Sequence, residues 1–303
     1  MQDNLLCQNK KTMNKNGTNG GGIMILYGKP VADALLESTK KRVELNKLKP
    51  KLTIITNPKD PASRVYVKNK VAACIQCGIN VETIAMRPNS KTIDYLRVIG
   101  RLNRDASVTG IIVQLPLLEG ANEKLVAESI FKEKDVDGFL KDSLFAPCTP
   151  SGIMHMLDYY KGKSFLSGKN AVVIGRSEIV GKPMANLLLN RNSTVTICHS
   201  KTQNLAEFTK NADVIVCAVG KPNVLTKDMV KPGATIIDVG INRVDGKLVG
   251  DCDFENLKDI CDITPVPGGV GPMTVATLVH RLPILCQKTK CTKHETQMEL
   301  ETL

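Results

Sequence analysis

Short apolar runs alternate with amphipathic stretches along most of this chain. The runs are four to six residues long and rich in Val, Ile and Thr, which is typical of buried strands, and a helical pattern follows most of them. The predicted strands are 52–56, 81–85, 110–114, 171–174, 194–198, 214–219 and 234–239. The predicted helices are 63–78, 91–103, 123–131, 151–160, 180–189, 205–210 and 274–285. This order predicts an α/β fold in which parallel sheets are covered by helices on both faces.

The alternation pauses at residues 145–150, Phe-Ala-Pro-Cys-Thr-Pro, and this pause marks the predicted domain boundary. We expect a first domain over residues 23–147 and a second domain over residues 148–271. The last predicted helix, 274–285, is expected to pack back on the first domain.

The two chain ends lack this periodicity. Residues 1–22 are polar and glycine-rich, without the apolar core of a secretion signal or the arginines of a mitochondrial presequence, and they predict a disordered extension. Residues 286–303 lose the apolar period and predict a flexible tail. The ten cysteines have no export signal before them, so we expect reduced thiols and a cytoplasmic protein.

Composition and charge exclude several classes of function. The longest apolar runs are far shorter than the ~20 residues that span a bilayer, so no membrane segment is expected. The net charge is +11 but no basic run is long, and only 4% of residues are aromatic, which argues against a nucleic-acid platform. Cys74 and Cys77 have metal-ligand spacing, but no second pair completes a zinc site, so no metal is expected. The positive charge instead favours phosphorylated or polycarboxylate small molecules.

A glycine turn follows the fourth predicted strand. Gly175 permits a sharp exit from the strand, Gly181 permits close packing of the next helix, and the first amides of that helix face any bound anion. About 20 residues downstream, where an NAD site usually has an acid, the next strand ends in Ser200 and Lys201. With Arg176 in the turn, this pattern predicts a Rossmann-like domain that binds the 2′-phosphate of NADP. The alternative is a solvated charged loop.

Two more strand ends and one loop are candidates for ligand contact. Gly220 and Gly240 follow predicted strands and let main chain approach the cofactor, and Ile241 lies where it can cover the nicotinamide. Residues 264–273 contain three prolines and three glycines, which neither a helix nor a sheet accommodates. Such a segment is either a ligand wall or a rigid linker, and its flanks, which resemble a domain interior, favour the wall.

The candidate catalytic residues come from three segments of the first domain. Tyr66 and Lys70 stand four residues apart on one face of a predicted helix, a spacing that is also common at the solvent edge of an amphipathic helix. Gln114 ends an apolar strand at the edge where ligands bind, and its amide can hold a lysine ammonium or a water. Asp135 and Asp137 lie at a turn, where one acid can be a cap or pair with a lysine and the other can recognise an amino-substituted heterocycle.

Taken together, these segments resemble the bifunctional methylenetetrahydrofolate dehydrogenase/cyclohydrolase family, from about Gly28 to Leu285. The segments that carry the resemblance are Asp60-Pro-Ala-Ser with Tyr66 and Lys70, Val113-Gln-Leu-Pro116, Lys134-Asp-Val-Asp-Gly138, Pro147-Cys-Thr-Pro150, Gly175-Arg-Ser with Ile179-Val-Gly181, Val239-Gly-Ile-Asn242 and residues 264–274. Their joint occurrence is highly specific for this family.

The resemblance implies a role for each candidate residue. Lys70 is the central catalytic group, held by Gln114 and Tyr66, while Tyr66 also stacks on folate and Asp137 binds the pterin. The residues that line the folate pocket are Pro267, Gly268 and Gly269. The residues that bind NADP are Gly175, Arg176, Ser177, Ser200 and Ile241.

The resemblance also implies the reaction and its setting. NADP-dependent oxidation of 5,10-methylenetetrahydrofolate gives 5,10-methenyltetrahydrofolate, which is hydrolysed to 10-formyltetrahydrofolate for one-carbon metabolism and purine biosynthesis. The substrate is a tetrahydrofolate derivative with or without a polyglutamate tail, and the expected assembly is a homodimer. Only eight residues separate Gly138 from Pro147, where family members usually have a longer segment, so a dehydrogenase with weak or absent cyclohydrolase activity is one alternative. A catalytically inactive folate- or nucleotide-binding module is the other.

Overall fold

The computed structural model describes residues 22–301, with side chains described for residues 22–60 and 63–288. The α-helices are α1 (Gly28–Leu45), α2 (Pro61–Gln76), α3 (Thr92–Arg104), α4 (Glu123–Glu128), α5 (Cys148–Lys161), α6 (Gly181–Leu189), α7 (Leu205–Thr209), α8 (Phe254–Leu257) and α9 (Val270–Glu301). The strands are β1 (Lys51–Thr56), β2 (Asn80–Ala85), β3 (Gly110–Val113), β4 (Asn170–Ile174), β5 (Thr194–Cys198), β6 (Val214–Cys217), β7 (Thr235–Asp238), β8 (Asn242–Val244), β9 (Lys247–Val249) and β10 (Asp262–Ile263).

The described chain divides into two compact units, each built on one parallel sheet. The three-stranded unit comprises residues 35–148 and 275–301, and the five-stranded unit comprises residues 22–34 and 149–274. The strands of both sheets are parallel and alternate with helices along the chain, so the predicted α/β class is confirmed.

The three-stranded sheet has the strand order β2-β1-β3. The central strand β1 is buried because its side chains are apolar on both faces, and Leu52, Ile54 and Ile55 have no exposed surface. The edge strand β2 has no buried position, and most of its residues are exposed. Helix α3 covers one face of the sheet, where its fully buried Tyr95 and Ile99 join the core.

The five-stranded sheet has the strand order β10-β7-β6-β4-β5. Its inner strands β6 and β7 are buried at every position, which explains why the sequence of β6 is a continuous apolar run. β7 also contains two buried polar residues, Thr235 and Asp238. All five strands point the same way, so the loops that follow them leave from a single edge of the sheet. This carboxyl edge is where open α/β sheets bind ligands.

The structure differs from the sequence-based expectation in three places. Residues 23–34 were expected in the first domain but pack in the five-stranded unit, because Leu26 N donates to Ile263 O (2.8 Å) and extends the edge beside β10. Helices α1 and α8 and the β8–β9 hairpin were not predicted. Helix α9 continues past the predicted end at Leu285 to Glu301, because the residues beyond Leu285 include many polar helix formers.

The sequence also predicts a disordered N-terminal extension, a flexible C-terminal tail and reduced cysteines. Of the predicted disordered extension, residues 1–21 lie outside the described residues, as do residues 302–303 of the predicted tail. Within the described part, the cysteines from Cys74 to Cys286 are free thiols. Among the same residues, no helix combines the length and the apolar character needed to cross a membrane.

Candidate active site

Lys70 is buried in the three-stranded unit. Only 9% of its surface is exposed, and its Nζ donates a hydrogen bond of 2.8 Å to Oε1 of Gln114. A second hydrogen bond, in which Gln114 Nε2 donates to Leu115 O at 3.0 Å, fixes the orientation of the amide. Lys70 is therefore not at the solvent-exposed edge of α2. Its Nζ is held at the carboxyl end of β3 instead.

The start of α2 is attached to the segment that follows β3. Asp60 caps the helix by accepting a hydrogen bond from Ser63 N at 2.9 Å. Ser63 Oγ lies 3.1 Å from Leu115 O, and the buried Asn57 donates from Nδ2 to Leu117 O at 3.1 Å. These contacts hold the element that carries Lys70 against the one that carries Gln114, which fixes the distance between the two side chains.

Tyr66 lies one turn before Lys70 on α2 but has a different environment. Its side chain is 47% exposed, whereas Lys70 is buried. An exposed aromatic ring beside a buried ammonium is suited to stack on a planar ligand whose reactive part reaches the amine.

The two acids of the Lys134–Gly138 turn have different roles in the structure. Asp135 is buried and accepts hydrogen bonds from Gly138 N at 2.9 Å and Leu140 N at 3.0 Å, so it is the cap. Asp137 is half-buried beside a small cavity with apolar walls that include Ile111 and Val113. Burial raises the pKa of the Asp137 carboxyl, and the nearby positive charge of Lys70 opposes this shift. Asp137 is therefore the candidate for recognition of a ligand.

In the five-stranded unit, the glycine turn leaves β4 at Gly175. The φ of this residue is +126°, and a Cβ here would lie 2.3 Å from Ala218 O, so only glycine fits. At Gly181 a Cβ would lie 2.3 Å from Gly175 O, which means that α6 starts in close contact with the turn. Ser177 Oγ accepts hydrogen bonds from Val180 N (3.2 Å) and Gly181 N (3.3 Å) and so closes the turn.

Arg176 and Ser200 follow neighbouring strands. β4 and β5 pair with Ile174 opposite Cys198, so the residues that follow these two positions leave the sheet side by side. Arg176 and Ser200 are both exposed. A guanidinium and a hydroxyl at adjacent strand ends provide the donors that a phosphate requires.

The buried acid Asp251 contacts both the loop after β6 and the segment after β7, and the buried Asp238 also accepts a hydrogen bond from Gly240 N at 3.0 Å in the loop after β7. Asp251 has no exposed surface, and it accepts hydrogen bonds from the backbone amides of Val219 (2.7 Å), Gly220 (3.0 Å) and Lys221 (3.0 Å). It also accepts one from Asn242 Nδ2 at 2.9 Å. The second of these loops presents Ile241, which is 55% exposed.

The proline- and glycine-rich loop follows β10 at the same edge of the five-stranded sheet. β10 pairs with β7, so the loop begins beside the one that carries Ile241. Gly28 N donates to Gly268 O at 2.8 Å, and a Cβ on Gly28 would lie 1.8 Å from Gly269 O. The loop therefore packs closely against the start of α1 and brings Pro267, Gly268 and Gly269 to the carboxyl edge.

The predicted site residues thus form two groups, one in each unit. Lys70, Gln114, Tyr66 and Asp137 belong to the three-stranded unit. The other group, at the carboxyl edge of the five-stranded sheet, comprises Gly175, Arg176, Ser177, Ser200, Ile241, Pro267, Gly268 and Gly269. Among the described residues, no cluster of three or more His, Cys, Asp or Glu side chains is arranged to hold a metal.

Buried charged residues to which the sequence assigned no role include Asp251 and Arg281. Each is nearly free of solvent contact, at 0% and 3% exposure. The available signal was a charged residue in apolar surroundings: Asp251 follows Leu248-Val-Gly, and Arg281 interrupts the apolar pattern of the last predicted helix. A charge at such a position needs fixed partners, which marks it as a candidate for holding a site in place.

Two family models match this chain. The catalytic domain of tetrahydrofolate dehydrogenase/cyclohydrolase matches residues 26–137, and the NAD(P)-binding domain of the same family matches residues 147–290. The chain belongs to the tetrahydrofolate dehydrogenase/cyclohydrolase family. The family and the bifunctional dehydrogenase and cyclohydrolase activity that the sequence predicts are confirmed by these matches.

Individual members of the tetrahydrofolate dehydrogenase/cyclohydrolase family are similar over most of the chain. The bifunctional protein FolD of Exiguobacterium sibiricum is 46% identical over 270 residues, which cover 85% of this chain and 97% of that protein. The FolD protein of Campylobacter hominis is 50% identical over 271 residues, with 85% and 95% coverage. Among solved structures, the FolD enzyme of Campylobacter jejuni has a TM-score of 0.83 at 42% identity and covers 88% of this chain and 99% of its own. The FolD enzyme of Trypanosoma brucei, complexed with NADP and an inhibitor, has a TM-score of 0.82 at 31% identity, with 89% and 99% coverage.

Proposed function

We propose that Lys70 is the central catalytic group for the oxidation of 5,10-methylenetetrahydrofolate to 5,10-methenyltetrahydrofolate and for its hydrolysis to 10-formyltetrahydrofolate. The observation that carries this proposal is the buried hydrogen bond of 2.8 Å between Lys70 Nζ and Gln114 Oε1. A buried lysine that is held by a neutral amide keeps an orientable N–H group, whereas a carboxylate partner would bind it as an ion pair.

In the first half-reaction, the chain positions the folate for loss of a hydride. NADP, when bound, accepts the hydride from the methylene carbon that bridges two folate nitrogens. The exposed ring of Tyr66 stacks on the folate, and Asp137 accepts hydrogen bonds from the N–H groups of the pterin. These contacts fix the reacting carbon, and fixed geometry removes much of the entropic cost of the transfer.

In the second half-reaction, water adds to the methenyl carbon of the cationic product. Addition gives a neutral carbinolamine and releases one proton. Ring opening then breaks one C–N bond, and the hydroxyl loses a proton as the formyl C=O forms while the leaving nitrogen gains one. The sum is one water consumed and one proton released. We assign these proton transfers to Lys70 Nζ, with Gln114 holding the amine toward the reacting carbon.

The residues of the five-stranded unit fit a phosphorylated dinucleotide. The cradle at Gly175 has no room for a Cβ, which lets main chain approach the pyrophosphate closely. Arg176 and Ser200 would hold a 2′-phosphate, and the absence of an acid at the end of β5 supports NADP over NAD. The NADP complex of the Trypanosoma brucei relative supports the same choice.

Other expectations about this protein stay predictions. The buried free thiols, such as Cys217 and Cys252, are consistent with the reducing conditions of the cytoplasm. The homodimer and the polyglutamate preference also stay predictions.

A coupled assay tests the proposed function. Purified protein is supplied with methylenetetrahydrofolate and either NADP or NAD, and the formation and decay of methenyltetrahydrofolate are followed together with reduced cofactor. Hydrolysis of added methenyltetrahydrofolate is measured separately. We expect both half-reactions, with NADP strongly preferred. An NAD preference would contradict the cofactor assignment, and absence of methenyltetrahydrofolate hydrolysis would contradict the role of Lys70.

A further inference from the structure

Arg281 is a buried cation in α9, flanked by the fully buried Leu282. Its guanidinium donates to Val136 O at 2.8 Å and also to Ala146 O. The ring of Phe145 lies over the guanidinium, with its centroid 4.8 Å from Cζ. Nη1 also donates to Cys148 Sγ at 3.1 Å. The group therefore uses its edge for two carbonyls and a sulfur and its face for an aromatic ring, an arrangement that requires the planar fork of arginine.

The groups that Arg281 contacts lie at the two ends of one loop. The loop of residues 139–146 leaves after Gly138 and returns at Cys148, whose N donates to Asp137 O at 3.0 Å. A Cβ on Gly138 would lie 2.7 Å from the carbonyl oxygens of both Phe145 and Ala146, so the outgoing and returning chains touch. Arg281 therefore links Val136 O in the outgoing chain, immediately before Asp137, to Ala146 O in the returning chain.

We propose that Arg281 is a positioning residue for the folate substrate, because it closes the shortened loop 139–146 and so holds Asp137 where the pterin binds. With only eight residues between Gly138 and Pro147, the loop has little chain of its own to build supporting contacts. The buried guanidinium supplies them from outside the loop. This inference rests on the proposed function, in which Asp137 recognises the pterin.

The charge of Arg281 provides a readout that a purely structural contact lacks. The charged and titratable groups that face Asp137 are Lys70 from α2, Asp135 and Cys148 from the loop ends, and Arg281 from α9. Burial raises the pKa of Asp137, while the positive charges of Lys70 and Arg281 lower it. Loss of the Arg281 charge therefore raises the pKa of Asp137 further, and its carboxylate becomes protonated at a higher pH.

The experiment compares Arg281→Met and Arg281→Lys with the wild type. In Arg281→Met we expect the KM for methylenetetrahydrofolate to rise roughly tenfold or more, with the KM for NADP unchanged. The acid limb of kcat/KM for the folate substrate, which is the pH range where this ratio falls as the pH decreases, also moves to higher pH. Arg281→Lys raises the same KM, because a point charge cannot join both carbonyls, but leaves the acid limb near its wild-type position.

Arg191→Met is the matched control, because it removes a partly buried guanidinium from the five-stranded unit. Arg191 pairs with Asp158 at 2.7 Å, away from any residue assigned to catalysis. We expect this variant to keep both the folate KM and the acid limb.

Three results would overturn the inference. The first is a folded Arg281→Met protein with the wild-type folate KM. The second is a raised KM with an unmoved acid limb in that variant, which indicates a structural contact only. If Arg281→Met does not fold, Arg281→Lys decides, and an unchanged folate KM there is the third. Failure of the proposed function is distinguishable, since it appears as a missing activity in the wild type.

Discussion

Asp135 and Asp137 are two residues apart, yet their surroundings give them different chemistry. The carboxylate of Asp135 accepts two backbone hydrogen bonds and closes its own turn. Asp137 lies beside an apolar cavity, and its pKa is raised by burial. Spacing in the sequence indicates that one acid is a cap and the other a ligand group, but only the placement of the amides decides which is which. In the same way, Tyr66 and Lys70 share a helix face, and only packing reveals that one is exposed and the other buried.

The raised pKa of Asp137 predicts a pH dependence of folate binding. The carboxylate must be ionised to accept hydrogen bonds strongly from the pterin, so the folate KM is low above the pKa and rises as the pH falls through it. Because burial raises this pKa above its ordinary value, the rise in KM occurs at a higher pH than for a solvated aspartate, which titrates near about 4.

Steady-state kinetics over a series of pH values check this prediction. Asp137→Asn removes the titrating group, so its folate KM is raised at all pH values and lacks the acid limb. The NADP KM of the wild type serves as the control and shows no such limb. A wild-type folate KM that stays flat down to the pH at which ordinary aspartates titrate would contradict the role of Asp137.

At the scale of elements, the nucleotide residues depend on the order of the parallel strands. The alternation of apolar runs and helices is sufficient to predict these strands, because buried parallel strands are apolar on both faces. Loop contacts are harder to predict. The hydrogen bonds of Asp251 reach back about 30 residues along the chain, and no local pattern specifies such partners. Helix α1 was also not predicted. Part of α1 packs in each unit, so its burial depends on contacts that no local pattern specifies.

Asp251→Asn is predicted to weaken NADP binding and spare the cyclohydrolase. The amide replaces a charged acceptor of four hydrogen bonds with a neutral group that has one acceptor oxygen, so the loops after β6 and β7 lose their fixed positions. We expect the NADP KM to rise roughly tenfold or more. Methenyltetrahydrofolate hydrolysis reports that the rest of the protein is folded and active.

Asp253→Asn is the matched control, since Asp253 lies two residues away and accepts a hydrogen bond from the exposed Asn256 Nδ2 at 2.8 Å. It should retain the wild-type NADP KM. Equal effects of the two substitutions would contradict a specific role for Asp251.

Gly175→Ala is predicted to destabilise the glycine turn. The new Cβ meets Ala218 O at 2.3 Å, and a φ of +126° is unfavourable for alanine, so we expect the free energy of unfolding to fall by about 1–3 kcal/mol. NADP affinity falls as well, because the turn must shift. Chemical denaturation and calorimetric titration with NADP measure the two effects.

Gly168→Ala is the control for Gly175→Ala. It separates the effect of the close Cβ contact from the effect of the positive φ. Gly168 also has a positive φ, +73°, but no heavy atom lies within 4 Å of the position that a Cβ would occupy. We expect Gly168→Ala to lose some stability and to keep its NADP affinity. If Gly175→Ala binds NADP as tightly as Gly168→Ala does, the turn is not part of the nucleotide site.

At the scale of the whole molecule, one chain carries two groups of functional residues on two units. The family has a catalytic domain and an NAD(P)-binding domain, and most residues of each match lie in one unit, with residues 26–34, 147–148 and 275–290 as the exceptions. Hydrolysis at the methenyl carbon needs water and a group that transfers protons, but it needs no hydride acceptor. Substitutions at the proposed NADP-binding residues, which are Gly175, Arg176, Ser177, Ser200 and Ile241, should therefore alter the dehydrogenase alone. Substitutions around Lys70 should alter the hydrolysis without changing NADP affinity.

In the proposed function, the amine of Lys70 moves the protons of the hydrolytic step. The most direct test is the hydrolysis rate of methenyltetrahydrofolate in Lys70→Met, with NADP binding measured on the same preparation. Lys68→Met is the control, because Lys68 is exposed on the same helix. We expect Lys70→Met to lower the enzymatic rate by about a hundredfold or more while NADP affinity stays at the wild-type value, and we expect Lys68→Met to change neither. Wild-type hydrolysis in a folded Lys70→Met protein would contradict it.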